Sequence, residues 1–520
     1  MSLNIVGRRN LRVVLEQKVR RHPHRPLLYF EDEMGRAEIY TYGQFNHEVN
    51  RTANGLLRLG VKKGDKVNLH LTNCPQFLFF WFAAAKIGAV IVPTNPLSPA
   101  AELKHPLVHS ESVVTVTQPD LLATVEEARA GSRISQVILV HAEDASGVIP
   151  FSEFVAGQPD DLAPVALDPL DDAAILYTSG TTSLPKGVRI THANYIYAGE
   201  VTSKLISLRP DDRHMVVLPL FHANAQYYSF MTTLNVGASA ALMSRFSASR
   251  YMKQVICYQC TVGSLFAAPI RMILAQPRDP SFRDNGLRVV LFSQNITEEQ
   301  LVEWEDRFGA PLLQQYGMTE TVGEPLANPL DYARDNMTIG MATLGYECRV
   351  VDEEGNDVAP GTPGELLVPG KPGWTITKGY FKNPEATAEA IRDGYLWTGD
   401  IVAEDENGYV RFVDRTRDII KRGGENIAAG EVEAVIRQHP KVVDAAVIGV
   451  PDAMRDESIK AFVVLGDNQA ATADEIITFC KTKLSKFRVP EFVEFRDEFP
   501  RTSVGKIQKH LLHRENSDVS

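Results

Sequence analysis

Residues 173–188 read AAILYTSGTTSLPKGV, and this stretch decides the fold. AAILY is a short unbroken apolar run, the pattern of a strand buried on both faces. It runs into six small or hydroxyl-bearing residues, Thr178, Ser179, Gly180, Thr181, Thr182 and Ser183, and then into Pro185-Lys186-Gly187. Backbone N–H groups and hydroxyls in such a loop surround phosphate oxygens, and a lysine adds a point charge. The G-x-x-x-x-G-K-[ST] spacing is absent, so this is not a Walker loop. Without the buried strand before it and Pro-Lys-Gly after it, the same loop would read as flexible surface.

Outward from the loop, helical and strand patterns alternate. Upstream, residues 42–59 carry apolar positions at helical spacing and stop at Gly60, and VNLHL (67–71) is a short strand. FLFFWFAAAKIG (77–88) reads as a helix stopped by Gly88, followed by AVIVP as a strand; 113–117 and 137–140 are further strands. Lys86 and Gly88 interrupt this apolar stretch, which falls short of the ~20 residues a membrane span needs. Downstream, 216–218, 240–243 and 288–292 continue the alternation, which implies parallel sheet covered by helices. From about 345 the texture becomes short strands and tight turns. The last hundred residues look like a separate α+β unit. The expected fold is therefore α/β. A large N-terminal domain, 1–414, has parallel or mixed sheets flanked by helices and a β-rich subdomain at about 345–414. A small, mobile α+β domain follows at 415–520.

Composition bounds the function. The 520 residues carry 54 Lys and Arg against 65 Asp and Glu, a net charge of −11, which argues against coating nucleic acid or an anionic membrane. Five cysteines and no secretory signal read as a reduced, cytoplasmic chain; Cys257 and Cys260 form a lone Cys-x-x-Cys without the second pair a zinc site needs.

Other motifs follow in order: Gln315-Tyr316-Gly317-Met318-Thr319-Glu320; Tyr395-Leu396-Trp397-Thr398-Gly399-Asp400; Asp414-Arg415; Ile420-Lys421-Arg422-Gly423-Gly424-Glu425-Asn426-Ile427; and Pro500-Arg501-Thr502-Ser503-Val504-Gly505-Lys506. With TSGTTSLPKG, they resemble the adenylate-forming superfamily of acyl-CoA synthetases, peptide-synthetase adenylation domains and luciferases, over nearly the whole chain. The resemblance implies two half-reactions. A carboxylate attacks the α-phosphate of ATP to give an acyl-adenylate and pyrophosphate, and a nucleophile, commonly the CoA thiol, then displaces AMP.

The resemblance also implies roles. Thr178, Ser179, Gly180, Thr181, Thr182 and Lys186 bind the phosphates, and Tyr316, Gly317 and Met318 belong to the nucleotide site. Thr319 contacts phosphate, and Glu320 is the magnesium-associated carboxylate; a Thr-Glu pair on its own would read as a helix start. Asp400 accepts from both ribose hydroxyls, with Arg415 beside it. Lys506 is the catalytic lysine that bridges the substrate carboxylate and the α-phosphate. Lys421, Gly423 and Gly424 face the CoA channel after the small domain rotates, and Arg417 stands at the hinge. His222 lies beside the acyl pocket, and the polar pair Asn224 and Gln226 suggests a pocket that is not purely alkyl.

Two positions depart from the common pattern. Phe292-Ser293-Gln294-Asn295 stands where relatives carry a Gly/Ala-Pro loop against adenine, so Ser293, Gln294 and Asn295 take that place. Asp414 replaces the usual Gly before Arg415. Both features are similar to crotonobetaine/carnitine-CoA ligases. The expectation is an AMP-forming acid–thiol ligase that uses ATP, Mg2+ and CoA on a small carboxylic acid, as a monomer or homodimer, with no nucleic-acid partner. One alternative is an adenylating enzyme with another acceptor or oxyanion: an amine or carrier-protein ligase, or a nitrite-activating diazotase. A second is a catalytically silent nucleotide-binding protein.

Overall fold

The computed structural model describes residues 5–142, 147–178, 184–293, 296–415, 418–422, 425–452, 456–484, 488–501 and 507–517. The chain divides into two units. The first holds the described residues up to 347 together with 368–396, and the second holds 348–367 and the described residues from 397 onward.

Two sheets build the first unit. Among the described residues, one has seven strands in the order Ile149–Pro150, Gln136–Leu139, Ser112–Thr117, Lys66–Leu69, Val90–Pro93, Asp172–Thr178 and Lys186–Thr191. Its neighbours pair in parallel except the last two, an antiparallel hairpin closed by Thr178 opposite Lys186. The strand at 186–191 is absent from the sequence reading, because Lys186 and Arg189 break its apolar run. The second sheet has nine strands among the described residues, and its parallel centre runs through Ser239–Met243, Arg213–Val216, Val262–Phe266, Val289–Ser293 and Leu312–Tyr316. Its apolar faces are covered by helices, and Met215, Leu265, Phe292 and Trp304 lie in one buried cluster.

The helix Pro75–Ile87 is buried at every position but Gln76 and ends at Gly88, whose φ of +78° closes the last turn in the left-handed region. The strand Val90–Pro93 follows, as the sequence suggested. Lys86, fully buried, is kept in this apolar helix by Asn46 and Asn50, whose side-chain oxygens lie 2.6 and 2.8 Å from Nζ, and by Glu16 at 3.3 Å. Burial still pushes its ammonium down to about 8. Among the described residues no helix is long and apolar enough to cross a membrane. All five cysteines are free.

In the second unit, Arg349–Val351 pairs antiparallel with residues 365–367, and residues 400–404 pair antiparallel with Val410–Arg415. Beyond them Val442–Asp452 and Asp456–Leu465 form a long antiparallel pair, extended in parallel by Phe492–Arg496. The helices Ala429–Ile436 and Ala473–Lys481 cover this sheet through Val432, Ile436, Ile476 and Cys480. Lys421, Arg422, Glu425 and Asn426 of the KRGGEN motif lie on the antiparallel strands Ile419–Arg422 and Glu425–Ala428, which the sequence reading left unassigned.

Candidate active site

In the first unit the phosphate-type loop leaves one sheet edge at Thr178 and returns at Lys186. The segment 379–381 lies against the returning strand: Phe381 N–H donates to Gly187 O at 2.7 Å, and Tyr380 bridges to Val188. A Cβ at Gly187 would stand 2.7 Å from Ile175 Cγ2, so only glycine allows this approach. Lys186 Nζ lies over the Tyr380 ring, 5.1 Å from its centroid. The hydroxyl of the same tyrosine donates to Glu320 Oε1 at 3.1 Å. Tyr380 therefore links the loop lysine to the carboxylate of the Thr-Glu motif. Burial and the Glu320 charge push the Tyr380 hydroxyl well up, so it stays a donor.

The strand Leu312–Tyr316 delivers the Thr-Glu motif. Residues 319–321 form a turn rather than a helix start. Thr321 Oγ1 accepts from Met318 N at 2.9 Å and lies 3.0 Å from both Met318 O and Gly323 O. Tyr346 Oη donates to Thr321 O at 3.2 Å, and Tyr227 Oη donates to Thr319 O at 3.4 Å. Val322, β-branched and buried, adopts φ +67°, a strained conformation held by these contacts. Glu320 is only 6% exposed, and its carbonyl accepts from Thr377 N at 2.8 Å. Ser293 ends the strand Val289–Ser293.

On the helical side, Ala225–Met231 is a π-helix, a rare form found mostly at functional sites. The His222 ring tilts against Phe221 with centroids 4.1 Å apart. Asn224 Oδ1 accepts from Ser264 Oγ at 2.9 Å. Gln226 is fully buried, with both ends of its amide engaged: Oε1 accepts from Tyr195 Oη, and Nε2 donates to Leu220 O at 2.7 Å. The sequence reading gave no role to three further residues here: Tyr380, Glu324 and Gln315, the last quoted only as the start of its motif. Nothing local marks Tyr380, since its partners are brought to it by folding. Glu324, fully buried, receives Thr202 Oγ1 at 2.7 and 2.8 Å, and burial pushes its carboxyl up to about 8.

In the second unit Asp400 and Arg415 are direct partners across antiparallel strands, so both positions lie on one face of that sheet. Asp400 is 1% exposed, and its N–H donates to Thr398 Oγ1 at 3.1 Å. Asp414 Oδ2 accepts from Gly430 N at 2.8 Å, a contact that glycine at 414 would lack. Lys421 pairs with Asn426 in the KRGGEN hairpin. Ser179, Gly180, Thr181, Thr182, Gln294, Asn295, Arg417, Gly423, Gly424 and Lys506 lie outside the described residues.

Comparison with known proteins places the chain in a family. Residues 15–381 match the model of the AMP-binding enzyme family, and residues 431–506 match the AMP-binding enzyme C-terminal domain. A crotonobetaine/carnitine–CoA ligase of Salmonella enteritidis PT4 (strain P125109) is 40% identical over 518 residues, covering 98% of this chain and 100% of the relative. Among solved structures, the anthranilate CoA ligase AuaEII in complex with anthranoyl-AMP superposes with a TM-score of 0.89 at 25% identity, covering 98% of both chains. ATP-bound MatB from Rhodopseudomonas palustris gives a TM-score of 0.88 at 28% identity, covering 98% of this chain and 99% of that one. The chain belongs to the AMP-binding enzyme family. Within it, the chain is an AMP-forming acid–thiol ligase of the acyl-CoA synthetase type, which takes a carboxylate through an acyl-adenylate with ATP and CoA as co-substrates.

Proposed function

We propose that this ligase adenylates a small polar carboxylic acid through Lys506, with Thr319, Glu320 and Lys186 on the phosphates, and transfers the acyl group to CoA along Lys421, Gly423 and Gly424. The observation that carries the reading is the convergence of Lys186 and Glu320 on Tyr380. It gathers a cation and a carboxylate around one side chain, which suits an ATP–magnesium complex. Thr178, Ser179, Gly180, Thr181 and Thr182 complete the phosphate loop. Ser293, Gln294, Asn295, Tyr316, Gly317 and Met318 hold the base side of the nucleotide. Asp400 and Arg415 take the ribose, and Arg417 is the hinge that separates a domain ending at 414 from one beginning at 415. His222, Asn224 and Gln226 stand on the acyl side. The enzyme acts in the cytoplasm as a monomer or homodimer.

Among the described residues no three His, Cys, Asp or Glu side chains converge into a metal cage. The shielded Glu320 carboxylate fits the mode in which one carboxylate and substrate phosphates share a magnesium ion, which would neutralise the phosphate charge. The chain's own residues do the rest. Lys186 balances charge on the phosphates, Thr319 orients them, and the Lys506 ammonium holds the attacking carboxylate in line.

The test separates the half-reactions. Lys506→Ala should slow acyl-adenylate formation by about 10²–10³-fold or more. A supplied acyl-AMP should still pass to CoA at the wild-type single-turnover rate, since no anion then develops beside the lysine. Equal loss of both steps in a folded variant, or intact adenylation, overturns the assignment. Pyrophosphate release that requires nitrite and an aryl amine and ignores CoA overturns the choice of acceptor.

A further inference from the structure

One helix outside the nucleotide motifs touches the chain at both ends of the phosphate loop. Ala100–His109 carries His105 and His109 four residues apart, so the two imidazoles share a face. Their rings stack with centroids 5.1 Å apart and planes 18° from parallel. His105 Nε2 lies 3.0 Å from Pro185 O, and His109 Nδ1 lies 2.8 Å from Tyr177 Oη. Tyr177 immediately precedes Thr178, where the chain leaves the sheet, and Pro185 immediately precedes Lys186, where it returns. The Tyr177 ring meets both imidazoles edge-on, at 5.8 and 5.9 Å. The His109 ring also meets that of Phe381 at 5.7 Å, next to the Tyr380 that lies under Lys186. At the end of the helix, Lys382 Nζ donates to His109 O at 3.4 Å and pairs with Glu111 at 3.1 Å. The helix is thereby tied to the same segment that lies against the returning strand.

The partners assign the protons. A carbonyl only accepts, so His105 Nε2 carries a proton and donates to Pro185 O. Pro185 has no N–H, and its carbonyl is that residue's only backbone hydrogen-bonding group. Holding it fixes the peptide plane that joins Pro185 to Lys186, and with it the direction in which the lysine side chain departs. Burial, His105 and the Lys382 ammonium push the His109 imidazole below its usual value against the pull of Glu111, so it is neutral near pH 7. Burial pushes the Tyr177 hydroxyl up, so it keeps its proton and donates to His109 Nδ1. A loop whose ends are already fixed loses less freedom when it closes on a ligand. We propose that His105 and His109 are positioning residues for ATP: they clamp the phosphate loop at Pro185 and Tyr177, so that Lys186 and the loop donors are preset for the β- and γ-phosphates. This rests on the reading above, in which residues 178–186 bind those phosphates.

The experiment measures binding of two nucleotides to the full-length enzyme by titration calorimetry with magnesium present, so no acid is needed. α,β-Methylene-ATP keeps the triphosphate and resists cleavage at the α-phosphate; AMP keeps the base and ribose but lacks the β- and γ-phosphates. His105→Leu, His109→Leu and Tyr177→Phe should each raise Kd for the ATP analogue about three- to tenfold, the size of one hydrogen bond, and leave Kd for AMP within about twofold. Tyr177→Phe combined with His109→Leu should bind no more weakly than either alone, because both remove the same bond. His105→Gln keeps a nitrogen donor and His109→Asn an oxygen acceptor, so both should restore near-wild-type binding. A merely structural role for the helix would weaken both nucleotides alike and would not separate glutamine or asparagine from leucine. Tyr177→Phe removes a single oxygen, so its result decides the matter even where a leucine variant fails to fold. Lys186→Ala reports on the loop itself and should weaken the ATP analogue. If it does while the histidine and tyrosine variants bind the analogue as wild type does, the clamp is overturned and the phosphate loop stands. Equal loss of both nucleotides in the histidine variants, or glutamine and asparagine no better than leucine, also overturns the clamp. If Lys186→Ala leaves the affinity for the analogue unchanged, the phosphate-loop reading and the clamp fall together.

Discussion

Replacing Tyr380 with phenylalanine tests the link between the loop lysine and the Thr-Glu carboxylate. The substitution keeps the ring under Lys186 and removes the hydroxyl that donates to Glu320 Oε1 at 3.1 Å. A hydrogen bond to a charged group contributes about 1.5–3 kcal/mol. This one is long for an O–H···O contact, and Glu320 has further interactions. The lower end of the range applies, so adenylation should slow about tenfold, since about 1.4 kcal/mol is a factor of ten in rate. Tyr380→Leu removes the ring as well and should cost a further two- to fivefold, matching the ~0.5–1 kcal/mol of an exposed cation–π contact. The assay is single-turnover pyrophosphate release over a magnesium titration, beside thioester formation from supplied acyl-AMP. Tyr380→Phe should shift the magnesium requirement upward and leave the thioester step unchanged. Wild-type adenylation at every magnesium concentration, or equal loss in both steps, would falsify the coupling of Lys186 and Glu320 through this side chain.

Two further outcomes follow from packing and charge. Gly317→Ala should damage adenylation and stability, because its Cβ would meet Tyr228 Oη at 2.3 Å and overpacking costs about 1–3 kcal/mol. Adding Tyr228→Phe removes that oxygen and should restore most of both, as read by melting temperature and pyrophosphate release; a double variant no better than the single one rules the clash out. Burial raises the Glu324 carboxyl from 4.5 to about 8, so in that window the folded chain holds a proton that the unfolded chain has lost. Wild-type stability should therefore fall as pH rises through the window, by on the order of a few kcal/mol. Glu324→Gln, neutral throughout, should match wild type near the lower end and exceed it at the upper end; thermal melts that run parallel across the range would refute this.

The ordered motifs, the apolar strand before the loop and the glycine stops at 60 and 88 were legible from residue order, because strand burial, helix period and left-handed caps are local properties. The resemblance led to the expectation that Asp400 and Arg415 meet the ribose, but their opposition across one strand pair is a matter of register. Residue order left the strand Lys186–Thr191 and the π-helix unassigned, since charges interrupt the first and no compositional pattern marks the second. Tyr380 meets Glu320 across 60 residues, and Thr202 meets Glu324 across 122. No spacing rule links such pairs. Each forms only when sheets and helices pack and a buried polar group must take whatever donor or acceptor the fold brings within reach. Residue order was thus sufficient for the class of reaction. Tertiary structure alone decided which buried groups spend their hydrogen bonds on the scaffold, as Gln226 does, and which find no partner among the described residues, as Gln315 does.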